Sequence, residues 1–83
     1  MIEVHIKYFA SLREALGPGE SRQTQAQTVG QLRDELIAMS DAHAQALARH
    51  RPVRAALDRV MSDESRALSE GCEVAFFPPV TGG

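Results

Sequence analysis

Residues 2–9 alternate between apolar and polar side chains. The apolar parity carries Ile2, Val4, Ile6 and Tyr8. A period of two predicts a β-strand with one buried face. Phe9 lies on the polar parity, which leaves two interpretations open. Either the strand end turns this ring inward, or the ring is exposed for contact with another protein.

Two helical segments follow the first strand. Ser11 and Glu14 have the spacing of a capping box, which predicts a short helical turn that ends at Gly17. Thr28 has the same spacing to Gln31 and begins the main helix. Its core-facing stripe consists of Val29, Leu32, Leu36 and Ile37.

The remaining segments are shorter. Ser40 and Asp41 predict the cap of another helix, over residues 42–49, and Pro52 lies beyond its end. Short strands are predicted at residues 53–57 and 60–61, around a turn at 58–59. A clearer strand occupies residues 73–77, and residues 20–26 carry only a faint strand signal. Pro78 and Pro79 remove two backbone donors, so the chain leaves the sheet there.

This order of elements predicts an α+β fold, with a mixed sheet, one main helix across it and an extended C-terminal tail. Residues 1–77 form the domain and residues 78–83 a flexible tail that ends in Gly-Gly. A chain of 83 residues buries only about 60% of its extended surface, so its core is small. A deep active site of its own is therefore not expected, and a partner is expected to supply much of any catalytic pocket.

Composition excludes several classes of function. The chain has 9 basic and 11 acidic residues, a balance that argues against nucleic acid as a partner. No apolar run is long enough to cross a membrane, and no basic segment followed by an apolar one precedes the first strand. A single cysteine forms no internal disulfide, so the sequence predicts a cytoplasmic protein.

Few side chains suggest chemistry. His5, His43 and His50 lack the spacing of metal ligands and are predicted to be ordinary surface or helix residues, so no metal site is expected. Cys72 has no partner cysteine, and we interpret it as a strand residue rather than a sulfur relay. The basic residues between positions 49 and 54 are either a solvated loop or a contact for an acidic partner.

The most specific motif is the C-terminal segment, where a strand, a Pro-Pro exit and a short tail lead to Gly82 and Gly83. Proline favours an extended backbone, so the six residues from position 78 reach roughly 18 Å beyond the sheet. Glycine has no Cβ and passes a narrow channel easily. This geometry suits a terminal carboxylate that is presented to the active site of another protein.

Residues 73–83, EVAFFPPVTGG, resemble almost letter for letter the C-terminus of the small, sulfur-carrying subunits of molybdopterin synthase. Residues 7–10 and 12–14 resemble that family's first strand and turn, and Thr28 with Val29 resembles its helix start. Asp58 stands where an asparagine often occurs, Cys72 stands where an acidic residue is common, and residues 38–52 match poorly. The resemblance implies a ubiquitin-like β-grasp fold.

The same resemblance implies a reaction for Gly83. A ubiquitin-activating-type enzyme would use ATP to adenylate the Gly83 carboxylate, and a sulfur donor protein would convert it into a thiocarboxylate. The large synthase subunit would then receive the tail, including Thr81 and Gly82, in a heterotetramer. Sulfur would pass to cyclic pyranopterin monophosphate to build the molybdopterin dithiolene. No cofactor is expected to stay bound to this chain.

The partner interface is predicted at Phe9, Met61 and Phe77. Phe9 and Phe77 lie off the apolar parity of strands that the β-grasp fold makes neighbours. Large apolar groups on an outer sheet face usually mark a partner site, although burial in the core is the alternative for both rings.

Two other functions remain open. One is sulfur carriage for thiamin biosynthesis, which residues 76–83, FFPPVTGG, argue against because those tails differ before the glycines. The other is a ubiquitin-like modifier that is joined to lysines of other proteins. A self-contained enzyme is the weakest alternative because the sequence carries no catalytic constellation.

Overall fold

The computed structural model describes residues 1–79, and these form a five-stranded sheet with three helices on one face. The strands are β1 (Ile2–Tyr8), β2 (Gly19–Thr24), β3 (Arg54–Leu57), β4 (Val60–Ser62) and β5 (Glu73–Phe77). Their order is β2-β1-β5-β3-β4, in which β1 and β5 pair in parallel and the other pairs are antiparallel. A first and a last strand that lie parallel at the centre of a mixed sheet define the β-grasp arrangement, so the predicted fold is confirmed.

The helices are α1 (Ala10–Leu16), α2 (Val29–Ile37) and α3 (Asp41–Leu47). Both predicted caps of the later helices are present. The Thr28 hydroxyl accepts from the Gln31 amide at 3.2 Å, and the Ser40 hydroxyl accepts from the His43 amide at 3.1 Å.

The predicted cap of the first helix is wrong. Helix α1 begins at Ala10, one residue before Ser11, and its N-cap is Phe9, which makes no side-chain capping bond. The β1–β5 ladder determines this start, because the Phe9 amide donates to the carbonyl of Phe76 at 3.1 Å. The chain therefore leaves the sheet only after Phe9.

The hydrophobic core lies between the sheet and the helices. The inward parity of β1 meets the inward residues of β3 and β5 and the stripe of α2 there. The buried cluster includes Val4, Ile6, Tyr8, Val29, Leu32, Leu36, Leu47, Leu57, Val74 and Phe76. Cys72 belongs to the same cluster and is buried, which agrees with its interpretation as a structural residue.

Two tight backbone features shape the sheet. A Cβ at Gly19 would lie 2.3 Å from the carbonyl oxygen of Ile6, so only glycine fits where β2 begins beside β1. The β3–β4 hairpin turns through Asp58 and Arg59, whose φ angles are 49° and 71°. Two positive φ values match a primed hairpin turn, and aspartate tolerates that conformation nearly as well as asparagine.

The predicted division into a domain and a tail falls at the edge of the described residues. Strand β5 ends at Phe77, and the half-buried Pro78 and Pro79 follow it outside the sheet. Thr81, Gly82 and Gly83 lie outside the described residues.

Candidate functional site

The face of the sheet opposite the helices carries the residues of the predicted interface. Strand register places Lys7, Ala75, Ala56 and Met61 in one row across β1, β5, β3 and β4. Ala56 and Ala75 are buried yet stand outside the core cluster, as expected for small residues on the outer face beneath larger neighbours. The two small alanine side chains lie in the middle of this row, and the longer side chains of Lys7 and Met61 lie at its two ends.

Phe9 and Phe77 lie side by side at one end of this face. The pair Tyr8 and Phe76 closes the β1–β5 ladder, and Phe9 and Phe77 are the residues that directly follow them. Phe9 is 45% exposed and Phe77 is half-buried, and neither packs against the core cluster. The inward-turned interpretation of Phe9 is therefore not supported.

Met61 lies at the edge of the same face, opposite Ala56, and is 56% exposed. Its neighbour on the edge strand, Val60, is equally exposed. Met61 also lines a groove of about 370 Å³ that runs between β3 and the residues after β4, with Arg54 and Phe76 among its walls. We call Phe9, Phe77, Met61, Ala56 and Ala75 the docking face. Its shape suits another protein better than an enclosed small molecule.

Charged side chains border the docking face. On one side the Lys7 ammonium lies 3.4 Å from a carboxylate oxygen of Glu73. On the other side Arg54 is directly opposite Phe77 in the β3–β5 ladder and is exposed. The apolar centre with its charged border has the composition of a protein interface, with a core and a polar rim.

Two buried rings hold the docking aromatics in position. Tyr8 and Phe76, which directly precede Phe9 and Phe77, stack with their centroids 6.4 Å apart. The Tyr8 hydroxyl donates to Glu20 at 2.7 Å, and His43 Nε2 donates to the same carboxylate oxygen at 2.9 Å. The Ser40 hydroxyl completes this network at 2.7 Å from His43 Nδ1.

The network changes the acidity of its members. Burial and the hydrogen bond to Glu20 raise the pKa of Tyr8. Burial alone would raise the pKa of Glu20, but the hydrogen bonds from His43 and Tyr8 hold it below its ordinary value. His43 is thus a largely buried partner in a network, and the sequence-based description of it as an ordinary helix or surface residue misses this role.

A second network ties the helices to the segment between β4 and β5. Arg33 is 4% exposed, and its guanidinium donates to the carbonyls of Leu47 and Ala48 at 2.8 Å each and to Glu64 at 2.7 Å. Arg49 also binds Glu64, and it donates to Asp34 at 2.9 Å. Burial raises the pKa of Glu64, but the bonds from Arg49 and Arg33 outweigh it and lower the pKa. Arginine side chains therefore hold both carboxylates in this network.

The described residues hold neither a metal-binding cluster nor a helix that could cross a membrane. Within residues 1–79, no group of three or more His, Cys, Asp and Glu side chains is arranged to hold a metal ion. In that same part of the chain, no helix is both long and apolar enough to cross a membrane. The docking face and the root of the tail are the features that a function must explain.

The chain is similar to known proteins over nearly its whole length. The ThiS family profile matches residues 6–83. The molybdopterin synthase sulfur carrier subunit of Escherichia coli (strain K12) is 37% identical over 81 residues, which cover 96% of this chain and 99% of that protein.

Two solved structures extend the comparison. Small archaeal modifier protein 1 of Haloferax volcanii superposes with a TM-score of 0.76 at 25% identity, over 96% of this chain and all of that one. A chain from the complex of subunits 1 and 2 of the molybdopterin-converting factor from Helicobacter pylori superposes with a TM-score of 0.70, over 99% of this chain and 100% of that one. At 20% identity, that second likeness concerns the fold alone.

Proposed function

Because this chain belongs to the ThiS family, we propose that it is the sulfur carrier subunit of a molybdopterin synthase. The observation that carries the proposal is the 37% identity to the Escherichia coli sulfur carrier subunit over nearly the full length of both chains. The family match extends to residue 83, so it includes Gly82 and Gly83.

The proposed chemistry takes place at the Gly83 carboxylate. A carboxylate is a poor electrophile, so an adenylating enzyme first joins it to AMP from ATP and releases pyrophosphate. A donor protein then delivers sulfide as HS⁻, which attacks the carbonyl carbon; AMP leaves with the electrons of the broken C–O bond, and a thiocarboxylate and a proton remain. That sulfur passes to cyclic pyranopterin monophosphate, and two such transfers complete the dithiolene.

The proposed partner in the transfer is the large synthase subunit, which supplies the pterin pocket and the acid–base groups. The docking face is the surface that it covers, and the tail enters its pocket. Support comes from the position of Phe9 and Phe77 at the end of the sheet where β5 leads into Pro78. An enzyme subunit that contributes sulfur needs no catalytic centre of its own. A heterotetramer of two small and two large subunits is part of this proposal.

A second candidate function is protein modification. The likeness to small archaeal modifier protein 1 favours it, since that protein shares the fold at 25% identity. Both functions begin with an acyl-adenylate, and they differ in the nucleophile that follows: sulfur for a carrier, a lysine amine for a modifier.

The test uses intact mass spectrometry of the chain purified from its own cells. A carrier shows the mass increase that corresponds to one oxygen replaced by sulfur, and a modifier shows isopeptide-linked adducts instead. Deletion of Gly83, or extension beyond it, is expected to leave the fold intact and abolish the thiocarboxylate. Normal molybdopterin synthesis by the deletion variant would refute the carrier proposal.

A further inference from the structure

Two arginines stand at the root of the tail. Arg54 is the first residue of β3 and faces Phe77 across the ladder. Arg51 lines a small cavity of about 110 Å³ together with Pro78, Ser11 and Val53. Both arginines are exposed, and they lie near Phe77 and Pro78, where the chain leaves the sheet. We call Arg51 and Arg54 the basic collar.

The collar differs from several other basic residues in having no ionic partner among residues 1–79. Lys7, Arg22, Arg33 and Arg49 each lie within 4.0 Å of a carboxylate oxygen, whereas Arg51 and Arg54 do not.

Two acidic residues that line the same groove as Arg54 are engaged elsewhere. Asp63 accepts from the Ser65 amide at 2.9 Å and from the Ser65 hydroxyl, which turns its carboxylate towards its own loop. Glu64 is held by Arg33 and Arg49. The positive charge of the collar is therefore available to another molecule.

The opposite end of the central strands is acidic. Glu73 begins β5, and its amide donates to the Asp58 carboxylate at 2.9 Å. Glu70 accepts from the backbone of Glu3 at 3.2 Å at the same end. Asp58 and Glu70 thus lie near the start of β5, where Glu73 is paired with Lys7, and the collar lies at its other end, about 13 Å away along the strand. Because its charges are unevenly distributed, a chain with a net charge of −2 can be oriented by the electric field of a partner.

We propose that the basic collar docks against acidic side chains of the large subunit, which border the mouth of the channel that receives the tail. The inference rests on the proposed function and specifies the chemistry of that interface. The tail itself ends in an anion, so the depth of the channel cannot be acidic. Arg54 lies opposite Phe77, the last residue of β5, so the collar stays with the domain when the tail enters a channel.

The collar mainly increases the rate at which the chain associates with the large subunit. Charges at the edge of an interface steer partners together and affect the association rate more than the dissociation rate, and salt screens them. The apolar docking face then supplies the short-range contacts. We expect the association rate of the wild-type chain with the large subunit to fall steeply as salt rises.

The experiment measures association and dissociation rates with the purified large subunit at low and high salt. Arg54→Glu and the double variant Arg51→Glu/Arg54→Glu test the collar, and Arg59→Glu is the matched control. Arg59 undergoes the same charge reversal on the β3–β4 turn, at the acidic end of the sheet. At low salt, we expect the double variant to associate about tenfold more slowly than the wild-type chain, with little change in the dissociation rate. At high salt, the association rates of the two proteins should become similar. Arg54→Lys should retain most of the rate.

Three outcomes would overturn the inference while leaving the proposed function intact. The first is equal effects of Arg54→Glu and Arg59→Glu, and the second is a wild-type association rate that does not respond to salt. The third is slower adenylation of the double variant with unchanged association to the large subunit, which would assign the collar to the activating enzyme. Failure of the wild-type chain to bind the large subunit at all would instead contradict the proposed function. Circular dichroism of each variant confirms that it is folded.

Discussion

The guanidinium of Arg33 donates to Glu64 over 2.7 Å and joins the middle of α2 to the segment between β4 and β5. The same guanidinium binds the carbonyls of Leu47 and Ala48, which end α3. One buried side chain therefore connects three parts of the chain that are distant in sequence.

Arg33→Ala is expected to lower the free energy of unfolding by about 2–4 kcal/mol, because the carbonyls of Leu47 and Ala48 lose their donor. Glu64 keeps its bond from Arg49. Urea denaturation measures the change. Arg66→Ala is the control, since Arg66 is exposed in the same segment, and it should stay within about 0.5 kcal/mol of wild type. A loss below about 1 kcal/mol for Arg33→Ala would mean that the network does not hold these elements together.

Acid is expected to destabilise the fold through Glu20 and Glu64, whose pKa values both lie below the ordinary 4.5. The unfolded carboxyls take up protons near pH 4.5 and the folded ones only at lower pH. The stability that these groups contribute is therefore present above pH 4.5 and lost as the pH falls through their folded pKa values. The urea concentration at the midpoint of unfolding is measured at neutral pH and at steps below pH 4.5. It should decrease over that pH range.

The double variant Glu20→Gln/Glu64→Gln should show a flatter dependence of the urea midpoint on pH. Glu14→Gln, on the exposed side of α1, is the control that should keep the wild-type slope. An unchanged slope in the double variant would show that other carboxyls cause the acid sensitivity.

Phe77→Asp is expected to leave the fold intact and to weaken binding to the large subunit. Phe77 lies outside the core cluster, so the new carboxylate remains in contact with water. Loss of an aromatic anchor costs about 2 kcal/mol or more, which is roughly a thirtyfold rise in Kd. Phe76→Asp is the matched comparison, because Phe76 is 1% exposed and a buried charge should unfold the chain. Circular dichroism with calorimetric binding distinguishes the two, and an unfolded Phe77→Asp would refute the docking face.

Gly82→Val tests the tail separately from the docking face. A β-branched residue stiffens and widens the backbone beside the reacting carbonyl, so we expect normal folding and docking but failed sulfur transfer. The thiocarboxylate of the variant is made chemically, which bypasses adenylation, and is mixed with the large subunit and the pterin substrate. A transfer rate equal to that of the wild-type thiocarboxylate would show that the channel tolerates the added bulk.

Local alternation predicted the strands that have one clear apolar face, whereas residues 20–26, which contain most of β2, carried only a faint signal. The parity of Ile2 to Tyr8 predicted β1. The off-parity positions of Phe9 and Phe77 left burial and exposure open, and in the structure Phe9 is exposed and Phe77 is half-buried. Local capping signals were right where a helix begins in a loop, as at Thr28. They failed at Ser11, where pairing of Phe9 with β5 determines the start of the helix.

The same reasoning could not predict the buried polar networks. His43 and Glu20 are 23 residues apart, and Arg33 and Glu64 are 31 residues apart, so no local pattern links them. Each residue alone has the appearance of a solvated helix or strand position. Only the fold brings the two members of each pair into contact. That contact then determines how far each side chain is buried and how its pKa is shifted.

The parallel ladder between β1 and β5 also constrains how the chain is made. Its two strands come from opposite ends of the sequence, and they occupy the middle of the sheet. During translation, Ile2–Tyr8 emerges first and has no central neighbour until Glu73–Phe77 has been synthesised. Such pairing raises the contact order and slows folding, and it leaves an apolar strand without its partner in every shorter nascent chain. Any premature termination before β5 therefore yields a polypeptide with an open sheet centre, a substrate for chaperones and proteases rather than a partly active carrier.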